Sequence, residues 1–226
     1  MSLFQKCLAE SIGTFCLVFA GTGAIIVNDL HGSVSHVGIA LTFGLIVTAM
    51  IYAIGDDSGA HINPAVTIGF WLAGRIERAI VVSYIAAQVL GAILASLTLR
   101  CLFPAHETLG ATLPVGVWYQ SFLMEVILTA ILMFVILRIS IGSRERGIMA
   151  GVAVGATVAL EAMFAGPVSG ASMNPARSIG PALVSLHIAS LWIYLFAPIF
   201  GVVLAVLLNR FLVSDPTTQI LPDVQI

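Results

Sequence analysis

Charged side chains are scarce in this chain. Asp, Glu, Lys and Arg make up 9% of its 226 residues, whereas hydrophobic residues make up 59%. A soluble domain carries about 25% charged residues, so this chain cannot cover itself with a water-exposed surface. We therefore predict a membrane protein whose solvent is the lipid bilayer.

Other scarcities narrow the range of functions. The net charge of −2 offers no basic field, so no nucleic-acid partner is expected. There is no Ser/His/Asp set, metal-ligand cluster or phosphate-binding loop. We therefore expect no catalytic residue, no metal and no cofactor, and we do not interpret the chain as an enzyme. The three cysteines lack the spacing of a metal site or a disulfide framework; they are Cys7, Cys16 and Cys101.

Six apolar stretches are long enough to cross the bilayer, because about 20 helical residues span its ~30 Å core. They lie near residues 5–27, 37–55, 79–101, 118–138, 148–166 and 189–212. The first has no small-residue cleavage site, which favours a retained span over a signal peptide. Residues 214–226 are predicted to form a disordered cytoplasmic tail.

The positive charges predict the orientation. Six spans place both termini on one side, and the cytoplasmic side of a membrane protein is enriched in Lys and Arg. With both termini inside, only Arg100 and Arg177 fall outside. The cytoplasmic set is Lys6, Arg75, Arg78, Arg138, Arg144, Arg146 and Arg210. We predict a multi-pass plasma-membrane protein, or an inner-membrane protein if the source is bacterial, with both termini cytoplasmic.

One string occurs twice. Ser-Gly-Ala-x-x-Asn-Pro-Ala-x-x-Ile-Gly begins at Ser58 and again at Ser169, each time in an apolar piece too short to span, roughly 60–74 and 171–187. We predict an internal duplication, with repeats of about 5–102 and 118–212 in a single channel domain, 1–226. Each half crosses the membrane an odd number of times, so the repeats are inverted and the functional site lies near the midplane.

The repeated Asn-Pro-Ala predicts two half-helices. Asparagine is a favoured N-cap, and proline fits the first helical turn because its missing N–H would have no partner there. A single copy would be an ordinary helix cap. Two copies in matching repeats predict re-entrant half-helices whose positive ends meet at mid-membrane. The two triplets are Asn63, Pro64, Ala65 and Asn174, Pro175, Ala176.

These features resemble the aquaporin, or major intrinsic protein, family. The segment from Ala165 to Ala182, AGPVSGASMNPARSIGPA, looks most like the nodulin-26-like branch, which conducts water, glycerol and uncharged metalloid acids. The resemblance implies an all-α fold of six tilted transmembrane helices and two re-entrant half-helices around one pore per subunit. It also implies a homotetramer in the lipid bilayer.

The paired asparagines suggest how such a pore excludes protons. Amide N–H groups of Asn63 and Asn174 that point at a passing water occupy its lone pairs, so that water cannot relay a proton, and the positive helix ends repel cations. The family implies a ladder of backbone carbonyl acceptors beside them. Its members would be Gly59, Ala60, His61, Ile62, Gly170, Ala171, Ser172 and Met173.

Arg177 is the one charge inside the second short segment. A buried membrane arginine indicates a functional site, although an arginine reaching the outer headgroups is the alternative. The resemblance makes Arg177 the cation-repelling donor of an outer constriction that also contains Phe43, Ala162 and Ala171. Strict water channels carry histidine where Ala162 stands. The two alanines therefore predict a wider opening that passes glycerol or boric, arsenous or silicic acid, and a strictly water-selective channel is the alternative.

Several ionisable residues lie in or beside the spans. The resemblance implies that Glu10 and Glu125 accept hydrogen bonds from the re-entrant backbones, with a proton relay as the alternative. Glu161 is either pore-adjacent and protonated or capped by backbone groups. Asp56 and Asp57 form either a sensor of pH or divalent ions at the cytoplasmic mouth, or a solvated turn.

Three rival functions remain at this stage. A proton-coupled secondary transporter would use the buried glutamates, and an ion channel would have to overcome Arg177 and the facing helix ends. A mainly structural membrane protein would show no flux. The sequence favours a passive channel for water and small uncharged solutes over all three.

Overall fold

The computed structural model describes residues 1–140 and 149–212. Its helices within these ranges are α1 (Leu3–His31), α2 (Ser35–Ser58), α3 (Pro64–Leu72), α4 (Arg78–Leu102), α5 (Trp118–Ile139), α6 (Ala150–Ser169), α7 (Pro175–Ser185) and α8 (Leu191–Leu212). The tail predicted for residues 214–226, and Arg144 and Arg146 of the orientation argument, lie outside the described residues.

Six of these helices are long and apolar enough to cross a membrane. The other two, α3 and α7, have 9 and 11 residues and are too short to span. No strand occurs in the part of the chain that the structure describes. The predicted architecture of six spanning helices and two half-helices is confirmed.

The packing of the first half is repeated in the second. Helix α1 packs on α4 and α2, as α5 packs on α8 and α6. Each half-helix also lies against a long helix of the other half, since α7 packs on α4 and α3 on α8. The two halves are therefore interleaved, and they meet again where α2 packs on α6.

Two glycines set how closely the paired helices approach. A Cβ at Gly91 of α4 would collide with the carbonyl oxygen of Ser11 in α1, and one at Gly201 of α8 would stand 2.6 Å from the carbonyl oxygen of Val126 in α5. Small residues let helix backbones come together in this way. Gly91 and Gly201 occupy equivalent places in the two halves.

Helix α6 runs three residues past the predicted end at 166, because the bond lost at Pro167 is replaced. Proline has no N–H for the carbonyl four residues earlier, which here belongs to Met163. The His36 Nε2 atom of α2 lies 2.7 Å from that carbonyl oxygen. Sequence patterning could not show that a distant side chain would supply the missing donor.

Helix α2 also extends beyond its predicted end. Asp56 and Asp57 lie in its last turn, so the turn predicted at these residues is wrong. Asp56 is exposed and Asp57 is partly buried.

Candidate functional site

The amino ends of α3 and α7 meet inside the protein. The Asn63 side chain accepts the Ala65 N–H at 2.9 Å, and the Asn174 side chain accepts those of Ala176 and Arg177 at 3.0 and 3.3 Å. Pro64 and Pro175 are the first residues of the two helices, and both asparagines are buried. The local structure is the one that asparagine followed by proline favours.

The two asparagines also bond across the junction between the halves. Nδ2 of Asn63 donates to the Met173 carbonyl at 2.9 Å, and Nδ2 of Asn174 donates to the Ile62 carbonyl at 2.9 Å. One N–H of each amide is thus used between the segments, which leaves the other for the space beside it. Sequence reasoning had assigned both amides and both carbonyls to passing molecules and had not foreseen these reciprocal bonds.

The backbone before each cap adopts left-handed conformations at residues other than glycine. The φ angles are 46° at Ala60 and 42° at Ile62, then 42° at Ala171 and 54° at Met173. A positive φ is uncommon for such residues, above all for β-branched isoleucine. Strain of this kind persists only where the surroundings hold it, and it clusters at functional sites.

Glu10 of α1 holds the first strained segment. Its carboxylate is fully buried and accepts the His61 and Ile62 backbone N–H groups at 2.8 and 2.6 Å. The Ser58 hydroxyl and the Gln88 amide donate to the same carboxylate, each at 2.7 Å. With these N–H groups turned toward Glu10, the neighbouring carbonyls are free to face away from it.

Glu125 of α5 holds the second segment in the same way. It accepts the Ser172 and Met173 backbone N–H groups at 2.9 and 2.8 Å, and the Ser169 hydroxyl at 2.8 Å. No glutamine stands opposite, because the position equivalent to Gln88 is Pro198 of α8. The structure thus places Glu10 and Glu125 as hydrogen-bond acceptors for the two re-entrant backbones.

Two tyrosines complete this support, and sequence reasoning missed their role. The Tyr84 hydroxyl donates to the Ser58 carbonyl at 2.8 Å, and the Tyr194 hydroxyl donates to the Ser169 carbonyl at 2.6 Å. The tyrosines are 110 residues apart, as are Gly91 and Gly201. That shared spacing is the sequence signal that could have identified them.

A cavity passes the junction of the half-helices. It extends from Ser140 and Ala150 at one end to Phe43 and Arg177 at the other, and about 130 Å³ is open to water inside it. One water needs roughly a tenth of that space. Among the residues that sequence analysis singled out, those lining it are Phe43, Gly59, Ala60, His61, Ile62, Asn63, Ala162, Ala171, Ser172, Met173, Asn174 and Arg177.

The remaining predicted site residues lie outside this lining. Gly170, expected in the carbonyl ladder, does not line the cavity. Neither do the buried residues that follow each asparagine, which form the first turns of the half-helices behind the junction. They are Pro64, Ala65, Pro175 and Ala176.

One end of the cavity is lined by the four residues assigned to the constriction, which are Phe43, Ala162, Ala171 and Arg177. Arg177 is 3% exposed; its Nη1 donates to the Gly110 carbonyl at 2.9 Å, and its guanidinium carbon lies 5.1 Å from the centre of the Phe43 ring. Arg177 therefore does not reach the outer headgroups. Ala162 and Ala171 supply small apolar walls to the same space.

Gly21 makes room for the aromatic wall of this constriction. A Cβ at this position of α1 would collide with the Phe43 ring. The ring therefore depends on a hydrogen-sized side chain on the neighbouring helix. Sequence reasoning did not find this contact, because a lone glycine in an apolar helix carries no specific signal.

His61 lines the cavity on the other side of the asparagines. Its Nδ1 lies 3.1 Å from the Thr67 hydroxyl, and its ring packs against Phe70 and Tyr84 with centroids 4.6 and 5.2 Å apart. No group of three or more metal-ligating side chains occurs in residues 1–140 and 149–212.

Glu161 precedes Ala162 in α6 but does not line the cavity. It is 1% exposed, and neither carboxyl oxygen has a hydrogen-bond partner among the described residues. Capping by backbone groups, one of the two alternatives from the sequence, is therefore wrong.

Comparisons with known proteins agree with this geometry. A family model described as "Major intrinsic protein" matches residues 1–209. The chain is 50% identical over 201 residues to "Aquaporin NIP1-1" of Zea mays, covering 88% of this chain and 71% of that protein. It is 45% identical over 201 residues to "Nodulin-26" of Glycine max, which covers 88% of this chain and 74% of that protein. The structure of the aquaglyceroporin from Plasmodium falciparum is 27% identical, with a TM-score of 0.84 over 92% of this chain and 96% of that one.

Proposed function

The chain belongs to the major intrinsic protein family, and we propose that it is a passive channel for water and small uncharged solutes that excludes protons and ions. The cavity that passes two facing, asparagine-capped half-helices is the observation that carries this proposal. Its relatives are aquaporins and a nodulin-26, and a similar structure is an aquaglyceroporin.

Selection against cations follows from the charges around the cavity. Both half-helices turn their positive ends toward the junction, and Arg177 adds a full positive charge at the outer constriction. A cation has to pass all three, whereas a neutral molecule is not repelled by any of them. The remaining N–H of each asparagine orients a passing oxygen and interrupts proton relay.

The choice of solute rests on the outer constriction. Ala162 and Ala171 leave two walls short and apolar, while Phe43 and Arg177 form the other walls. An opening of this kind suits glycerol or an uncharged metalloid acid, which can turn its less polar face to the apolar walls while its oxygens accept hydrogen bonds from the guanidinium. A strictly water-selective channel is the alternative.

The buried glutamates argue against proton-coupled transport. Each carboxylate of Glu10 and Glu125 is held by at least three donors. A relay would require those bonds to break in each cycle, and the strained backbone would lose its support.

We further propose that the protein is a homotetramer in the lipid bilayer of the plasma membrane, with both termini cytoplasmic. Large apolar side chains are exposed along the long helices, as lipid or a second subunit requires. Trp118, Tyr119 and Trp192 cluster at the starts of α5 and α8. Aromatic residues favour the membrane–water interface, which supports placing these helix ends at a headgroup region.

Stopped-flow light scattering on proteoliposomes tests the function. Vesicles are shocked first with glycerol and then with boric acid, and protein-free vesicles serve as the control. Fast shrinkage followed by fast reswelling is the expected result. Fast shrinkage without accelerated reswelling would establish the water-selective alternative, and no acceleration of either phase would contradict the channel.

A further inference from the structure

The two halves support their half-helices with different side chains. In the first half, the Gln88 amide of α4 donates to the Thr67 hydroxyl at 3.0 Å, and that hydroxyl donates to the Asn63 carbonyl at 3.1 Å. Thr67 has a counterpart 111 residues later, which is Ser178 of α7. Gln88 has none, because the equivalent position is Pro198 and proline has no side-chain donor. The second half therefore needs another donor for its hydroxyl.

Thr112, in the loop between α4 and α5, supplies that donor. Its hydroxyl donates to Ser178 Oγ at 2.8 Å, and both side chains are buried. Its methyl group faces Gly170, where a Cβ would stand 3.2 Å from Thr112 Cγ2. The Gly110 carbonyl of the same loop accepts from Arg177 at 2.9 Å. The loop thus contacts two successive residues of α7.

The hydroxyl groups beyond Thr112 form a chain with one direction. Ser178 Oγ lies 2.6 Å from Ser172 Oγ, and the Ser172 hydroxyl donates to the Asn174 carbonyl at 2.9 Å. A hydroxyl has one proton to donate. The Ser172 proton is used on the Asn174 carbonyl, so Ser178 must be the donor in the 2.6 Å bond. Since Ser178 in turn accepts from Thr112, donation runs from the loop to the N-cap of α7.

This direction leaves the Ser172 hydroxyl without a free hydrogen-bonding group. Ser172 lines the cavity. Its oxygen accepts from Ser178 and from the Asn174 N–H, which lies 3.3 Å away, while its proton is on the Asn174 carbonyl. A hydroxyl has one donor and two acceptor lone pairs, so all three are occupied. A passing solute therefore cannot bond to this side chain.

We propose that Thr112 is a positioning residue for the constriction: its hydroxyl takes the place of the Gln88 amide in the second half, sets the direction of the hydroxyl chain and holds the α4–α5 loop against α7. The proposal rests on the channel function proposed above. Without this donor, the bond between Ser178 and Ser172 can run in either direction, and the loop that carries the acceptor of Arg177 loses a contact with α7. Glycerol fills the constriction more fully than water, so its flux falls more.

Two substitutions separate the hydroxyl of Thr112 from its methyl group. Thr112→Val keeps the methyl that faces Gly170 but cannot donate, whereas Thr112→Ser keeps the hydroxyl and loses the methyl. In stopped-flow reswelling of proteoliposomes, Thr112→Val should lower glycerol flux by about two- to tenfold, the scale of one hydrogen bond, and water flux less. Thr112→Ser should keep the wild-type fluxes. Unchanged glycerol flux in Thr112→Val, equal losses of glycerol and water flux, or a larger loss in Thr112→Ser would each overturn the proposal.

A double-mutant cycle tests whether Thr112 acts through Ser178. Ser178→Ala removes the acceptor, so adding Thr112→Val should lower glycerol flux no further. Thermal midpoints in detergent give the same cycle without transport. Each single substitution should lower the midpoint by about 2–4 °C, the shift expected for one hydrogen bond, and the double variant by less than the sum. Additive effects in either measurement would contradict the action of Thr112 through Ser178.

The midpoints also separate this proposal from the channel function. If the wild type accelerates neither water nor glycerol flux relative to protein-free vesicles, the proposed function fails, and the midpoints still decide whether the Thr112 hydroxyl holds the loop to α7 through Ser178. If the wild type conducts and the midpoints are coupled, but Thr112→Val leaves glycerol flux unchanged, Thr112 only stabilises the fold and the positioning role is wrong.

Discussion

At the scale of single residues, the site combines groups that a local motif reveals with groups that only the fold brings near. Asn63 and Asn174 could be predicted because an N-cap is a short-range structure. The partner of Arg177 could not, because Gly110 is 67 residues away and its carbonyl is a backbone atom in a loop without a repeat. The role of Gly21 could not be predicted either, because it depends on the Phe43 ring, which occupies the space that a side chain at Gly21 would fill.

Ala162 should control solute size. Ala162→His places a ring in the constriction beside Phe43 and Arg177, so glycerol and boric acid fluxes should fall by about tenfold or more, the effect of a clash worth at least 1.4 kcal/mol. Water flux should fall far less. Stopped-flow reswelling measures both, and Ala162→Ser, which adds polarity with little volume, is the control. Equal losses of water and solute flux would show that Ala162 is not in the constriction.

Glu161 should behave as a neutral acid. A charge there would be buried without a partner, which is far costlier than a protonated carboxyl, and glutamine has nearly the same shape. Glu161→Gln should therefore leave the thermal midpoint in detergent within the usual range of neutral substitutions, about 0.5 kcal/mol. Glu125→Gln provides the contrast, since its amide would face backbone N–H groups, and should destabilise the protein by about 2–4 kcal/mol. A large loss for Glu161→Gln would mean that its carboxylate is charged and paired.

At the scale of helices, the number and type of elements follow from the sequence, whereas their ends depend on tertiary contacts. Apolar length identified all six spans, and the repeated triplet identified both half-helices. The predicted end of α6, at 166, lies just before Pro167, and a proline commonly ends a helix, but the helix continues to Ser169. His36, 127 residues away from the carbonyl that it meets, removes that stop.

The bond from His36 to the Met163 carbonyl gives a test at this scale. His36→Leu should leave that carbonyl without a donor and cost about 1–3 kcal/mol, measured as a lower thermal midpoint in detergent. His36→Gln can still donate an N–H and should recover most of that stability. Equal destabilisation by leucine and glutamine would show that ring packing against Gly166 matters more than the hydrogen bond.

At the scale of the whole molecule, the two ends of the helix bundle differ in chemistry although the halves are inverted copies of each other. Arg75 and Arg210 bind the carbonyls of Leu137 and Leu72 at one end, and the tryptophan cluster lies at the other. The charge bias of the sequence predicts that the arginine end is cytoplasmic. The charge bias could not show that these arginines also form hydrogen bonds to carbonyls at the ends of neighbouring helices.

The predicted sidedness can be measured with single cysteines in a chain whose Cys7, Cys16 and Cys101 have been replaced by serine. A membrane-impermeant maleimide added to intact cells should label Glu107→Cys, in the α4–α5 loop, because both its site and the reagent are outside. Glu77→Cys, at the start of α4, should react only after lysis. The reverse pattern would place both termini outside.

The reciprocal bonds of Asn63 and Asn174 have a consequence for the ancestry of the fold. The asparagine amide of each half donates a hydrogen bond to a backbone carbonyl of the other half. Two copies of one half-length chain, inserted in opposite directions, can make the same exchange about a twofold axis in the membrane plane. An antiparallel dimer of half-length chains could therefore have formed this junction before gene fusion joined the two copies. After fusion, the halves could diverge at other positions, but each had to keep the asparagine and the carbonyl that form the reciprocal hydrogen bonds.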